Sequence, residues 1–320
     1  DDDSPYLSWT PSSAGNRKTW TFSAWIKRNN LGVGGVIFGA VGDNSRMRFS
    51  TDKIIQWEFN NTQNWRLVTT QKFRDPSAWF HLLINVDTTQ GTAANRMSMY
   101  INGVKVTAFD NEDYPTLNGE GGTNNNSLQS IGRDATNSDN YLDAYLAEVH
   151  FIDGQALDPT SFGETGTYGE WKPIEVTGMT YGTNGFYLDF SNSGSLGTDA
   201  SSNTNNWTVN NLAATDQMLD SPTNNFCTMN PNSPNTQALS QGNLHSTGNT
   251  GRSAVATQGM TTGKWYWEFY WTGGNNEVRI GATDDVSNGG YGGGIHAYSW
   301  TGNIANYLSG GNTNISCSPC

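Results

Sequence analysis

Apolar and polar side chains alternate through the first half of the chain with a period of two. In residues 20–27, Trp20, Phe22, Ala24 and Ile26 fall on one face. That period predicts a half-buried β-strand. Residues 46–50 and 54–59 repeat it, separated by the turn-forming stretch Ser50-Thr-Asp-Lys53. Residues 65–70, 79–86 and 96–101 continue the meander. Asn102-Gly103 then gives the strongest hairpin signal in the chain, because both central residues of a type I′ turn need a positive φ. Residues 104–106, 130–133 and 145–152 close the series. Almost no stretch carries the i, i+3, i+4, i+7 stripe of a helix. A single short helical turn is predicted around Asp158-Pro-Thr-Ser-Phe162, with Asp158 as cap and Pro159 at the first helical position. The fold class is therefore all-β, an antiparallel β-sandwich of the jelly-roll kind.

The texture changes near Thr177. One strand, Phe186-Tyr-Leu-Asp-Phe190, stands among long polar stretches. Alternation resumes at Gly263-Lys-Trp-Tyr-Trp-Glu-Phe-Tyr-Trp271, followed by residues 277–281 and 295–300. Three regions result: a sandwich over 1–175, an extended linker with one strand over 176–225, and a second sandwich over 226–320.

Composition narrows the function classes. The formal net charge of -12 repels phosphate backbones and argues against nucleic acid as a partner. Charged residues make up only 14%, against roughly 25% in ordinary domains, and Asn, Ser, Thr and Gly fill the gap. Such loops carry amides and hydroxyls that hydrogen-bond sugars. No apolar run is long enough to span a bilayer, so membrane insertion is not expected. The chain opens on Asp1-Asp2-Asp3 without a Met, as a fragment or a processed form would. Of the 3 cysteines, Cys317 and Cys320 have C-x-x-C spacing, but no second pair or nearby His completes a zinc site. Cys227 stands alone, and the first 226 residues carry no disulfide framework.

Several motifs carry a family resemblance. Thr21-Phe-Ser-Ala-Trp-Ile-Lys27 resembles the opening strand of laminin-G-like, concanavalin A-like domains. Ala78-Trp-Phe-His-Leu-Leu-Ile-Asn-Val-Asp87, Met99-Tyr-Ile-Asn-Gly-Val-Lys-Val106, Ile131-Gly-Arg133 and a tyrosine-rich strand ending in Glu148-Val149 follow in the same order. Phe151-Ile-Asp-Gly-Gln-Ala-Leu-Asp-Pro-Thr-Ser-Phe-Gly163 looks like proteins of tailed phages of marine bacteria, where such domains sit in tail-fibre or virion-surface proteins. Thr262-Gly-Lys-Trp-Tyr-Trp-Glu268 with Val278-Arg-Ile-Gly-Ala282 is similar to the start of a SPRY-type sandwich, here partial.

The resemblance raises three kinds of chemistry. Glycoside hydrolases of related fold carry Glu-x-Asp-x-x-Glu on one strand, since nucleophile and acid must both reach one bond. That triplet is missing: positions 150 and 151 after Glu148 are His150 and Phe151, and Asp143 lies an odd number of residues away. The histidines His81, His150, His245 and His296 are scattered, and His81 is expected to be structural beside Trp79. Laminin-G-like domains often hold one calcium ion on a rim, which points to Asp134, Asp139 and Asp143 in one loop and Asp43 in another. Sugar binding asks for an aromatic face beside planar amides. Trp65, Tyr114 and Tyr141, with Asn137 and Asn140, offer that, although such loop residues serve turns equally well.

The expected role is a non-enzymatic virion-surface or tail-fibre protein that binds cell-surface glycans and assembles as a homo-oligomer outside the cell. The alternatives are a scaffold that contacts other virion proteins and binds no glycan, and a glycoside hydrolase.

Overall fold

The computed structural model describes residues 4–41, 45–60, 63–233, 236–247, 253–270, 279–282, 295–298, 303–308 and 311–316. It divides into two units, Asp1–Phe226 and Cys227–Cys320. No α-helix occurs among the described residues.

The first unit begins with β1 (Tyr6–Trp9), β2 (Thr19–Arg28), β3 (Gly35–Ala40), β4 (Ser45–Ser50), β5 (Lys53–Asn60), β6 (Gln63–Thr69) and β7 (Phe80–Asp87). Then come β8 (Met97–Ile101), β9 (Val104–Lys105), β10 (Phe109–Asp113), β11 (Gln129–Ile131) and β12 (Ala144–Asp153). The short strands β13 (Gly163–Thr165), β14 (Trp171–Pro173), β15 (Phe186–Leu188) and β16 (Thr208–Asn210) complete it. An eight-stranded sheet runs β10-β6-β5-β4-β3-β11-β1-β16, and a six-stranded sheet runs β15-β12-β2-β7-β8-β9. Their inner faces meet in one core, where Phe22 of β2 stacks on Phe38 of β3 at 5.4 Å. The all-β antiparallel sandwich expected from the alternation is the fold.

The predicted hairpin at Asn102-Gly103 is present, with φ of 48° and 77°. The predicted turn at Asp158 is a short 3-10 turn, Pro159–Ser161, with Pro159 at its start.

The chain after β12 doubles back over the outer face of the six-stranded sheet. A satellite core forms there from Leu83, Ile152, Phe162 and Tyr181. Residues 176–225, read from the sequence as a linker, run extended but are packed on this unit. Trp207 is 4% exposed and lies edge-on to Phe186 at 4.9 Å. β16 pairs with β1, and Asp220 forms a buried ion pair with Lys27.

Gly103 lies under Trp171 of β14, part of the strap that the chain after β12 lays over the six-stranded sheet. A Cβ there would stand 2.6 Å from two carbons of the Trp171 ring, at a backbone φ of +77°. Gly103→Ala should therefore cost about 2 kcal/mol or more, from a strained turn and a displaced indole. Thermal unfolding and tryptophan emission of the variant check this.

The second unit holds two-stranded antiparallel pairs: β17 (Ala238–Ser240) with β18 (His245–Thr247), β19 (Arg279–Ala282) with β20 (Ile295–Tyr298), and β21 (Asn303–Leu308) with β22 (Gly311–Ser316). The strand expected over 263–271 is not formed across 264–270, and Trp265 there is 56% exposed. Alternation supplies one face of a strand, but a ladder also needs a neighbour. Asp43, Cys317 and Cys320 lie outside the described residues, while Cys227 is an exposed free thiol.

Candidate functional site

The strands β7, β8 and β9 form an antiparallel meander at one edge of the six-stranded sheet. Their apolar positions, Leu82, Ile84 and Val86 on β7 and Met97, Met99 and Ile101 on β8, face the core. The alternate positions face outward. Register sets Asn85 opposite Ser98 and Tyr100 opposite Lys105. With Asp87 they line a polar cleft of about 280 Å³, rimmed by Gln90 and Asn95 from the β7–β8 turn and by Ala156 from beyond β12.

Arg96 holds that rim in shape. Its guanidinium donates to the carbonyls of Gln90 (2.7 Å), Pro115 (2.9 Å) and Gly91 (3.0 Å), which ties the turn to itself. Asp87 is also committed inward. Its carboxylate accepts from the Thr89 backbone (3.1 Å), the Thr89 hydroxyl (2.6 Å) and the Gln90 amide (2.5 Å). Burial pushes this carboxyl up, but the hydrogen bonds from Thr89, Gln90 and Thr19 outweigh it and hold the group below the usual carboxylate range.

What remains available is specific. Asn85 donates its amide N–H to the Leu157 carbonyl at 2.9 Å, which leaves its oxygen to accept. Gln90 likewise keeps its side-chain oxygen. Among the described residues, no partner takes the side chains of Asn95, Ser98 or Lys105. One aromatic ring, three amides, a hydroxyl and an ammonium therefore converge on a ring-sized hollow, the equipment for binding a polyol. The cleft holds one carboxylate, whereas glycosidic cleavage of the usual kind needs two.

The loop residues singled out from the sequence are placed differently. Trp65 is core, at 1% exposure. It is an alternating position of β6, two residues from Leu67, and the run of Asn before it disguised that. Tyr114 follows β10, is half-buried against the core and hydrogen-bonds Glu112. Burial and that carboxylate push its phenol up to about 12. Asn137 and Asn140 are exposed on the loop after β11, and Tyr141 closes that loop, 6.2 Å from the Tyr6 ring. β10 and β11 stand five strands apart in their sheet, about 24 Å, so Tyr114 does not join the loop.

The three aspartates do not form a cation cradle. Asp134 is buried and faces inward, taking Arg46 Nε at 2.9 Å and the Thr136 backbone at 2.9 Å. Asp139 accepts from the Asn140 amide, and Asp143 from the Asn29 amide, each at 2.6 Å. Among the described residues, no three His, Cys, Asp or Glu side chains gather as a metal site. These bonds close the loop and tie it to β4 and to the end of β2.

Glu148 is held by the strand that pairs with its own. A β-bulge between Ala147 and His150 resets the parity of β12, so counting residues back to Asp143 does not decide its face. Glu148 sits at φ 49° and accepts from the Tyr187 hydroxyl at 2.5 Å. Burial raises its carboxyl, the Tyr187 bond lowers it and Asp189 raises it, for a net upward displacement.

Residues 1–161 match the model of a family described as the concanavalin A-like lectin/glucanases superfamily. Solved structures are similar over part of the chain. A heptameric SAP-like pentraxin from Limulus polyphemus is 17% identical, with 48% of this chain and 71% of that chain covered and a TM-score of 0.34. A protein of Bacteroides ovatus described as a candidate carbohydrate binder is 16% identical, over 64% of this chain and 56% of its own, at 0.43. Domain 4 of an extracellular arabinanase from Geobacillus stearothermophilus, solved with arabinotriose, is 20% identical over 45% and 65%, at 0.33. No curated protein matches the chain.

Proposed function

Because the chain belongs, through residues 1–161, to the concanavalin A-like lectin/glucanases superfamily, we propose that it binds glycans and does not cleave them. The supporting observation is the β7–β9 cleft, where Asn95, Ser98 and Tyr100 surround a hollow of about 280 Å³ with hydrogen-bonding capacity unspent. The sugar ring lies against Tyr100, and its hydroxyls take the amides. The lone carboxylate, Asp87, is fully engaged within its turn and supplies neither acid nor nucleophile.

The setting we propose is a virion surface or tail fibre outside the cell, in a homo-oligomer. A shallow cleft binds weakly, and repeated copies raise avidity by orders of magnitude without new contacts. A glycan array of the full chain tests the reading. Asn95→Ala and Ser98→Ala should each weaken the bound glycan about 2- to 10-fold, the loss of one ordinary hydrogen bond, with thermal stability unchanged. Binding indifferent to both substitutions would remove the cleft from consideration.

A second reading is a scaffold that docks on other virion proteins. The exposed run Trp265, Tyr266, Trp267, Phe269 and Tyr270 favours it, since apolar surface of that extent marks contact sites. The SPRY-like resemblance of the same segment fits such a module. A chain that binds no glycan but loses particle incorporation on Trp265→Ser and Trp267→Ser would establish this reading instead.

A further inference from the structure

In the β7–β9 cleft the two opposite charges are unevenly matched. The chain carries a net charge of -12, yet inside the cleft the carboxylate is satisfied internally and the cation is not. Asp87 spends both oxygens on Thr89 and Gln90. Lys105 is exposed at the edge strand β9, and among the described residues no carboxylate pairs with its ammonium. Register sets it directly opposite Tyr100. Side chains so paired stand about 5 Å apart at Cβ, so a ring seated on Tyr100 carries a substituent within reach of the ammonium.

Resting on the reading of this cleft as a sugar site, we infer that it selects an anionic saccharide, a sugar ring bearing a carboxylate or sulfate that Lys105 holds while Tyr100 and Asn95 hold the ring. A charge-assisted hydrogen bond of this kind is stronger than a neutral one. Bulk attraction cannot substitute for it, because the overall field of the protein repels anions. An edge-strand lysine whose sole work is to keep other strands from pairing predicts no such selectivity.

The experiment is an array of uronic acid-terminated, sialic acid-terminated and sulfated oligosaccharides, printed beside carboxyl-reduced and desulfated counterparts. It is probed with the full chain and with Lys105→Gln, Lys105→Arg and Asn95→Ala. Wild type should favour the anionic member of a pair by roughly 10- to 100-fold. Lys105→Gln should bring that member down to its neutral counterpart, and Lys105→Arg should restore most of the difference. The carboxylate and sulfate arms identify which anion is held. If charged and neutral sugars bind alike, and Lys105→Gln changes nothing while Asn95→Ala still weakens binding, the inference is overturned and the sugar site stands. If Asn95→Ala and Lys105→Gln both leave binding untouched, the site reading and the inference fall together. Since Lys105 is exposed, its variants should fold as wild type does, which thermal unfolding verifies.

Discussion

Lowering the pH from about 6.5 to about 4.5 should strip the first unit of roughly 4 kcal/mol of stability, and His81→Gln with His150→Gln should abolish most of that loss. Both imidazoles lie between the six-stranded sheet and the strap that covers it. Trp171 Nε1 donates to His81 Nδ1 at 3.1 Å, so the proton of His81 is on Nε2, 2.7 Å from Ser23 Oγ. A second proton would have to enter on Nδ1, facing another donor. His150 contacts the Tyr181 hydroxyl at 2.9 Å and stacks on Tyr187 at 4.1 Å. Burial pushes each imidazole down to about 3, with His81 adding to the effect on His150. An unfolded histidine titrates near 6.5, so between these values the unfolded chain binds more protons and stability falls as the pH falls. Each histidine withdraws up to about 1.4 kcal/mol per pH unit in that window.

The neighbouring acidic groups modify this without reversing it. Glu148, 3.9 Å from His150 Nε2, has a carboxyl raised by burial. Its protonation in the folded state adds stability as the pH falls toward the ordinary carboxylate range, one group against two. Asp189 and Asp199 act on Glu148 and Tyr181 through space. Asp52 and Asp87, held low, release their stability only at still more acid pH. Urea unfolding followed by tryptophan emission at several pH values measures the slope. An unchanged midpoint in wild type across the window, or the same slope in the double variant, would sink the claim.

The long strands were legible in the sequence because their neighbours are also long. β2 and β7 alternate over eight residues or more, and β12 does so on either side of its bulge, while the Asn102-Gly103 turn marks the step from β8 to β9. The cleft was not legible, because its floor is a register. Asn85, Ser98, Tyr100 and Lys105 are ordinary outward positions on three strands, and only the pairing of β8 with β7 and β9 brings them together. The signal available was the polar series Asn85, Asp87 and Ser98, Tyr100 between aliphatic residues. Residues 191–206 lack any period because their folding rests on single anchors: the Asn203 and Asn205 side chains both bond the Gly185 carbonyl at 2.9 Å. The bulge at Glu148 defeated parity counting, since nothing local in the sequence announces a glutamate with a positive φ. Residues 264–270 differ in the opposite sense, with the pattern present and no partner strand among the described residues.

Lys27→Ala or Asp220→Ala should each cost about 3–5 kcal/mol. Lys27 reads as an outward residue of β2, yet its side chain is 0% exposed and that of Asp220 2%. Lys27 Nζ lies 2.5 Å from Asp220 Oδ2 and donates to Asn225 Oδ1 at 3.0 Å. The other carboxylate oxygen accepts from Trp79 Nε1 at 3.2 Å and from the Phe226 backbone at 3.3 Å. This pair, 193 residues apart in sequence, fastens the last stretch of the first unit to the outer face of its sheet. Removing one partner strands the other charge out of water, the costly half of a buried ion pair. Replacing both with apolar side chains of similar volume avoids that cost. Lys27→Met with Asp220→Leu should therefore recover most of the loss, short by roughly 1 kcal/mol for the acceptor taken from Trp79 and Phe226. The cycle separates two accounts. If the attraction between the charges itself stabilises the unit, the double variant stays as weak as the singles. If the singles suffer from an orphaned charge, the double variant rises well above both, as a buried site in this geometry requires. Single variants that each lose less than about 1 kcal/mol would mean that residues 217–226 are not held against the sheet at all.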